Sequence, residues 1–229
     1  MTNFLFKGLV LSMLCIFVTL ACSDEDRTVR TKPIEKSEKK AFRILILGDS
    51  LTEGFGVLER EAYPHLLEEK LNRELSAKTG SVYRVINGGI TGATSSGGVS
   101  RIDWFLQAEP DYLILALGGN DGLRGVPVPE TEENLSEILA TAGKNEIPAL
   151  LAGMKIPPNY GLTYTSDFAQ MYKDLSKLHD VPRIPFLLEG VGGEAQFNLP
   201  DRIHPNPAGH ALIAETVYKT LAPQLQKIP

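Results

Sequence analysis

Short apolar segments alternate with amphipathic, helix-like segments along most of this chain of 229 residues. The first apolar segment runs from Phe42 to Leu47, and Gly48 stops it. Runs of this kind are typical of strands that are buried on both faces of a parallel sheet. The pattern predicts strands over residues 42–47, 83–87, 112–117, 148–154 and 184–188, and helices over residues 64–75, 130–144, 168–175 and 207–221.

The alternation restricts the fold to one class. Strands that alternate with helices form a parallel sheet covered on both faces, because each helix carries the chain back to the start of the next strand. The sequence therefore predicts an α/β domain with a five-stranded parallel sheet between two helical layers. Three glycine-rich segments directly follow predicted strands, namely residues 48–50, 88–92 and 118–121. Because functional groups gather at the carboxyl ends of parallel strands, we expect these segments to lie together.

Composition and charge narrow the function classes. Hydrophobic residues make up 43% of the chain and charged residues 22%, values close to the averages for soluble globular proteins. The net charge of −5 leaves no basic excess for a phosphate backbone, so no nucleic acid partner is expected. The four histidines have no metal-ligand spacing, and both cysteines precede the predicted domain. We therefore expect no metal site and no cofactor.

The N-terminal part of the chain has the pattern of an export signal. Residues 1–21 contain the apolar run 8–20, which is too short for a transmembrane helix of about 20 residues. Cys22 then fits the bacterial lipoprotein box, in which the cysteine is acylated and becomes the new N-terminus; an ordinary secretory signal with an incidental cysteine is the alternative. Residues 22–40 are polar and predict a solvated tether, which leaves 41–229 as the folded domain. We expect an exported protein, anchored by lipid at the periplasmic face of the cell envelope.

Five residues have the chemistry that ester hydrolysis needs: a hydroxyl nucleophile, a base, a group that orients the base, and donors for the oxyanion. Ser50 follows the first strand, and Asp201 stands three residues before His204, so that one loop can hold both. Gly92 can offer an unshielded backbone N–H, and Asn120 can offer a side-chain amide. Each residue alone is more often a turn or capping residue. Their combination favours an active site.

The motifs around these residues resemble those of the SGNH (GDSL) hydrolase family. Gly-Asp-Ser-Leu, Gly-Ile-Thr-Gly, Gly-Gly-Asn-Asp and Asp-x-x-His stand in the family's order, over residues 42–221. The similarity is greatest to the family's bacterial periplasmic thioesterases, which also act as arylesterases and lysophospholipases. The resemblance implies a flavodoxin-like three-layer α/β/α sandwich. It further implies that Ser50 is the nucleophile and an oxyanion donor, that Gly92 and Asn120 are further donors, that His204 is the general base and later the acid, and that Asp201 orients His204.

The prediction of substrate contacts concerns four positions. They are Asp49, Leu51, Asp121 and Leu123. Leu123 falls in a glycine- and proline-rich loop, residues 122–129, which resembles a mobile acyl-binding loop of the family. Two positions differ from the family's thioesterases, since Ala93 stands where they have a carboxylate and Arg202 where they have a glycine. Both differences fall beside the predicted site and leave its catalytic groups in place.

These observations predict a serine esterase that hydrolyses carboxylic esters, and by resemblance acyl thioesters or lysophospholipids, through an acyl-enzyme on Ser50. One alternative is a carbohydrate O-deacetylase of the same family, and the other is a non-catalytic, lipid-anchored binding protein. The presence of Ser50, Asp201 and His204 together argues against the binding protein. The Gly-x-Ser-x-Gly elbow of α/β-hydrolases is absent, and no nucleotide-binding motif follows the first strand. We expect the protein to act as a monomer.

Overall fold

A computed structural model of the protein describes residues 41–228. The predicted signal peptide, Cys22 and the polar tether lie outside the described residues. Within the described part of the chain, five parallel strands form one sheet in the order β2-β1-β3-β4-β5. The strands are β1 (Phe42–Gly48), β2 (Tyr83–Gly89), β3 (Tyr112–Ala116), β4 (Ala149–Ala152) and β5 (Arg183–Ile184).

Helices cover both faces of the sheet. They are α1 (Ser50–Glu53), α2 (Tyr63–Glu74), α3 (Ser76–Thr79), α4 (Ser95–Leu106), α5 (Gly119–Arg124), α6 (Val128–Lys144), α7 (Leu162–Leu178) and α8 (Pro207–Leu225). Helix α2 packs against α8 on one face, and α6 packs between α4 and α7 on the other. The predicted three-layer α/β/α arrangement with a flavodoxin-like strand order is therefore confirmed.

The two central strands, β1 and β3, form the middle of the hydrophobic core. Every side chain from Ile44 to Leu47 and from Leu113 to Leu115 is completely buried. Burial of one such aliphatic side chain contributes about 1.5–3 kcal/mol to folding, which explains the unbroken apolar sequence of both strands. Gly48 at the end of β1 is in register with Gly89 of β2 and Ala116 of β3. The segments that follow these three strands consequently start at the same level of the sheet.

The fifth strand is shorter than predicted. It pairs with β4 over Arg183 and Ile184 alone, whereas the sequence predicts a strand over residues 184–188. Pro185 has no N–H to donate, so regular pairing stops there. A single later bond, from Leu187 N–H to the carbonyl of Gly153 (2.8 Å), keeps the following loop against β4.

Helix α4 was not predicted. Gly97 and Gly98 lower its intrinsic helix propensity and obscure the apolar spacing of Ile102 and Phe105. Thr94 caps the helix, since its side chain accepts a hydrogen bond from Gly97 N–H (3.4 Å). Packing requires Gly98, because a Cβ there would overlap the side chain of Leu117, directly after β3, and that of Ile138 on α6. The threonine cap was the signal that could have identified this helix.

Other helices extend beyond their predicted bounds. Helix α6 begins at Val128, α7 begins at Leu162, and α8 continues to Leu225. The predicted loop over residues 122–129 is largely helical, because α5 continues to Arg124 and α6 starts four residues later. Among residues 41–228, no helix is both long enough and apolar enough to cross a membrane.

One buried histidine links α8 to α2 and couples folding stability to pH. His210 is 1% exposed, and its Nδ1 accepts a hydrogen bond from Tyr63 N–H at 3.3 Å. Burial lowers the pKa of His210 from 6.5 to about 4. The unfolded chain therefore binds a proton at this histidine at higher pH than the folded chain does. Its contribution to stability is complete above pH 6.5 and is lost as the pH falls toward 4.

We predict that His210→Asn makes the stability less dependent on pH. An asparagine oxygen can accept the same N–H bond but does not titrate. The free energy of unfolding should fall in both proteins between pH 7 and pH 4. The fall should be about 3 kcal/mol smaller in His210→Asn than in the unmodified protein. Urea denaturation at both pH values measures this difference. His65→Asn, a change of an exposed histidine on α2, is the control, and an equal pH dependence in His210→Asn and the unmodified protein would contradict the prediction.

Candidate active site

Ser50 is the first residue of α1 and follows the turn at the carboxyl end of β1. Asp49 forms this turn, because its Oδ1 accepts a hydrogen bond from Leu51 N–H at 3.0 Å and so caps α1. Gly48 leaves room for the turn, since a Cβ at this position would overlap the side chain of Thr52. The chain thus directs the Ser50 hydroxyl to the end of the sheet where the other predicted site residues lie.

The loop before α8 places Asp201 and His204 against Ser50. His204 Nε2 lies 3.0 Å from Ser50 Oγ, although the two residues are 154 positions apart in the chain. On the other side of the ring, His204 Nδ1 lies 2.8 Å from Asp201 Oδ2. The structure therefore brings together the three residues that the sequence predicts as nucleophile, base and orienting group.

The carboxylate of Asp201 is held in its ionised form. Its Oδ1 accepts hydrogen bonds from the backbone N–H groups of His204 (3.0 Å) and Ile203 (2.9 Å). These bonds, together with the bond to the His204 ring, lower the pKa of Asp201 to about 2. Since a carboxylate only accepts, the proton between the two side chains belongs to His204 Nδ1. The Nε2 atom is then the acceptor for the Ser50 hydroxyl proton.

Arg202 lies between these two residues in a left-handed conformation, with φ of 60°. A left-handed conformation costs a residue with a side chain roughly 1 kcal/mol, and glycine adopts it without this cost. The turn at Arg202 allows the next two backbone N–H groups to point at the Asp201 carboxylate. This geometry gives a physical reason for a glycine at the position, and Arg202 adopts the same turn.

Two of the three predicted oxyanion donors, Gly92 and Asn120, lie on the segments that follow β2 and β3. Among residues 41–228, no acceptor is bonded to the backbone N–H of Ser50 or Gly92, so both groups stay available. Asn120 Nδ2 donates to the carbonyl of Ala93 at 2.9 Å, which holds the amide next to the Gly92 segment. Gly118, with φ of 107°, caps the helix that carries Asn120, and a Cβ there would overlap the hydroxyl of Tyr172.

Two of the four predicted substrate contacts, Asp49 and Asp121, are buried carboxylates that bind groups within the protein. Asp49 is 4% exposed, and its carboxylate faces Leu51 N–H and, at 3.5 Å, Asn120 Nδ2. Burial raises the pKa of Asp49 to about 6. Asp121 is 1% exposed, and its carboxylate accepts bonds from the backbone N–H (2.9 Å) and hydroxyl (2.6 Å) of Ser95. Both carboxylates are buried, and each binds a backbone N–H group at the start of a helix, α1 for Asp49 and α4 for Asp121.

The other two predicted contacts differ in exposure. Leu51 is buried under the nucleophile turn, with only a small part of its side chain at the surface. Leu123 on α5 is 40% exposed. The hydroxyl of Tyr160 donates to the carbonyl of Leu123 at 2.9 Å, which ties α5 to the chain before α7. Leu123 is consequently positioned at the surface of the same short helix that carries Asn120.

Sequence reasoning missed two arginines that stabilise the site. Arg101 on α4 donates to the carbonyls of Gly48 (2.6 Å) and Gly88 (2.8 Å), at the carboxyl ends of β1 and β2. Arg124 on α5 donates to the carbonyl of Gly92 at 3.0 Å. An apolar helix such as α4 gives no signal that its single arginine points to the strand ends. Arg124 stands in the predicted acyl-binding loop, and its position after Asn120 was the available signal.

A cavity of about 520 Å³ opens at the opposite end of the sheet. Its lining includes Tyr112 at the start of β3 and Pro148 just before β4, together with His179 after α7. None of the five predicted catalytic and oxyanion residues lines it. The cavity is therefore separate from the candidate active site.

The geometry provides the groups for nucleophilic attack on a carbonyl carbon. A neutral imidazole within hydrogen-bond distance of a hydroxyl can remove its proton, and a carboxylate on the far nitrogen stabilises the resulting imidazolium. Free N–H groups at strand ends can stabilise the oxygen that becomes negative. The arrangement is that of a serine hydrolase.

Comparisons with known proteins agree with this geometry. Residues 46–212 match the model of the GDSL-like Lipase/Acylhydrolase family. The chain is 36% identical over 186 residues to esterase TesA of Pseudomonas aeruginosa, covering 81% of this chain and 90% of that protein. It is 38% identical over 184 residues to thioesterase 1/protease 1/lysophospholipase L1 of Escherichia coli K12, covering 80% of this chain and 85% of the relative.

Solved structures give the same result. The fold is similar to the crystal structure of TesA, with a TM-score of 0.73 and 36% identity over 79% of this chain and 98% of that one. It is also similar to the psychrotrophic esterase EstA from Pseudoalteromonas sp., with a TM-score of 0.75 and 32% identity. That match covers 81% of this chain and all of the EstA chain.

Proposed function

This chain belongs to the GDSL-like lipase/acylhydrolase family, and from this membership we propose that it is a serine esterase whose triad is Ser50, His204 and Asp201. The observation that carries the proposal is the continuous set of contacts from Ser50 Oγ through the His204 ring to Asp201. All groups of the site come from one chain, which supports action as a monomer.

The reaction follows from these contacts. His204 Nε2 takes the proton of Ser50 as Oγ bonds to the ester carbonyl carbon, and the carbonyl electrons move to its oxygen. The backbone N–H groups of Ser50 and Gly92 and the amide of Asn120 stabilise that oxyanion. His204 then gives its proton to the departing alcohol or thiol, which leaves an acyl group on Ser50. A water molecule, activated by the same histidine, releases the acid.

We infer that the substrates are carboxylic esters, and that acyl thioesters and lysophospholipids are further candidates. The printed names of the relatives include esterase, arylesterase, thioesterase and lysophospholipase. No observation in the structure favours a carbohydrate O-deacetylase or a non-catalytic binding protein. The exposed Leu123 beside the oxyanion donors supports substrates with an apolar acyl chain.

We predict that the protein hydrolyses p-nitrophenyl esters and that Ser50→Ala lowers kcat by at least about 10⁴-fold, because Ser50 supplies the only hydroxyl that is bonded to His204 within residues 41–228. A series from acetate to palmitate should be measured. Ser100→Ala, which removes an exposed serine hydroxyl on α4, is the control and should retain full activity. Absence of activity in the folded protein would favour the binding protein, and activity limited to acetate would favour the deacetylase.

We predict that Leu123→Ala changes the preference for acyl chain length. The substitution removes apolar surface from the side of the site, which should lower kcat/KM for long-chain esters by about fivefold, equivalent to about 1 kcal/mol, and leave acetate unchanged. Leu178→Ala is the matched control, since Leu178 is 70% exposed at the other end of the domain. An unchanged chain-length profile in Leu123→Ala would exclude Leu123 from acyl binding.

Export and lipid anchoring remain part of the proposal on the basis of sequence. The apolar run 8–20 followed by Cys22 supports a lipoprotein signal. We predict that Cys22→Ser moves the protein from the membrane fraction to the soluble fraction of the cell envelope. The measurement is ester hydrolysis in both fractions. If the unmodified protein is already in the soluble fraction, the ordinary secretory signal is the correct interpretation.

A further inference from the structure

Phe55 connects the nucleophile turn to the loop that carries the base. It follows α1 and lies between Gly54 and Gly56, which both have left-handed conformations with φ of 88° and 78°. A Cβ on Gly56 would overlap the side chain of Leu199, so the two loops are in direct contact here. Leu199 N–H in turn donates to the carbonyl of His204 at 2.7 Å.

The aromatic ring of Phe55 packs on the imidazole of His204. The ring centroids are 4.4 Å apart and the ring planes are inclined by 37°. The backbone of the same residue is fixed to the nucleophile, because Phe55 N–H donates to the carbonyl of Ser50 at 3.1 Å. Phe55 is therefore hydrogen-bonded to the backbone of Ser50 by its own backbone, and its side chain is in contact with His204.

This contact restrains a motion that the two hydrogen bonds of the imidazole leave free. The bonds at Nδ1 and Nε2 lie on different sides of the ring. Rotation of the imidazole about the line that joins these nitrogens lengthens neither bond at first, but it tilts both out of the ring plane. An aromatic ring against the imidazole face opposes that rotation.

The same contact favours the charged form of the base. The face of an aromatic ring is negative, and it attracts a cation whose centre lies within about 6 Å of its centroid. His204 becomes a cation when it takes the Ser50 proton, and Phe55 is already at that distance. The attraction is thus stronger in the transition state than in the resting enzyme, which is the condition for faster catalysis.

We propose that Phe55 is a positioning residue of the triad, which keeps the His204 ring aligned between Ser50 and Asp201 and stabilises the imidazolium formed during catalysis. The inference rests on the proposed esterase function. Phe55 is 44% exposed, so its ring contributes less to the hydrophobic core than a buried phenylalanine and can be replaced with little cost to folding.

The test compares Phe55→Leu, Phe55→Met and Phe55→Tyr with the unmodified protein on p-nitrophenyl acetate. Leucine and methionine keep an apolar side chain but lack the aromatic face. We expect kcat to fall about tenfold in both, with KM within about twofold. The acid limb of the kcat/KM profile should move about half a pH unit lower, because the protonated imidazole has lost its aromatic neighbour. Phe55→Tyr should restore both values.

The control is Leu58→Ala, which removes a similarly exposed apolar side chain from the same loop and should leave kcat and the pH profile unchanged. Among residues 41–228, the titratable groups that interact with His204 are Asp201 on its own loop, Asp49 before α1 and His210 on α8. All three remain in every variant, so a shift of the acid limb reports the loss of the aromatic ring.

Three outcomes separate this inference from the proposed function. An unmodified protein without esterase activity contradicts the proposed function. An active enzyme whose leucine and methionine variants keep kcat and the acid limb contradicts the role of Phe55 alone. A rise in KM without a change in kcat or in the pH profile also overturns the inference, since it would make Phe55 a substrate contact only.

Discussion

The hydrogen bond between Ser50 and His204 depends on the whole domain, because its two partners stand near opposite ends of the chain. β1 fixes the position of Ser50, since its buried residues are paired on both sides within the sheet. The position of His204 is set by α8, which begins three residues later, is capped by Asn206 and packs against α2. A change that loosens the contact between α2 and α8 would thus affect catalysis before it affected the sheet.

A second group of polar side chains, buried or half-buried, supports the reacting groups. Asp49 caps the nucleophile turn, Asp121 holds the start of α4, and Arg101 binds the last carbonyls of two strands. Burying charged groups is costly unless each finds a partner, and these three have partners on the backbone. The site therefore consists of two sets of groups. One set reacts, and the other, buried or half-buried, holds strand ends and helix starts in place.

The sequence was sufficient to predict the fold class, the flavodoxin-like strand order and the identity of the residues that meet at the site. The fold class follows from the apolar runs and the site residues from short motifs, both of which are local, whereas the strand order followed from the resemblance to the family. The features that the sequence did not show depend on distant neighbours. The buried position of Asp121 follows from its partner Ser95 in another segment, and α4 was missed because Gly97 and Gly98, the second of which packing requires, weaken its local pattern. The contact of Phe55 with His204 joins loops about 150 residues apart and has no signature in either one.

The left-handed turn at Arg202 has a consequence for how the base is held. A glycine there would form the turn without strain, but it would also give the unfolded loop more conformations to lose on folding. Arginine has fewer unfolded conformations, but it disfavours the left-handed region, so the strain in the folded loop outweighs the smaller loss of chain entropy. The base thus lies on a turn that is held by its hydrogen bonds to the Asp201 carboxylate and not by the intrinsic preference of its backbone.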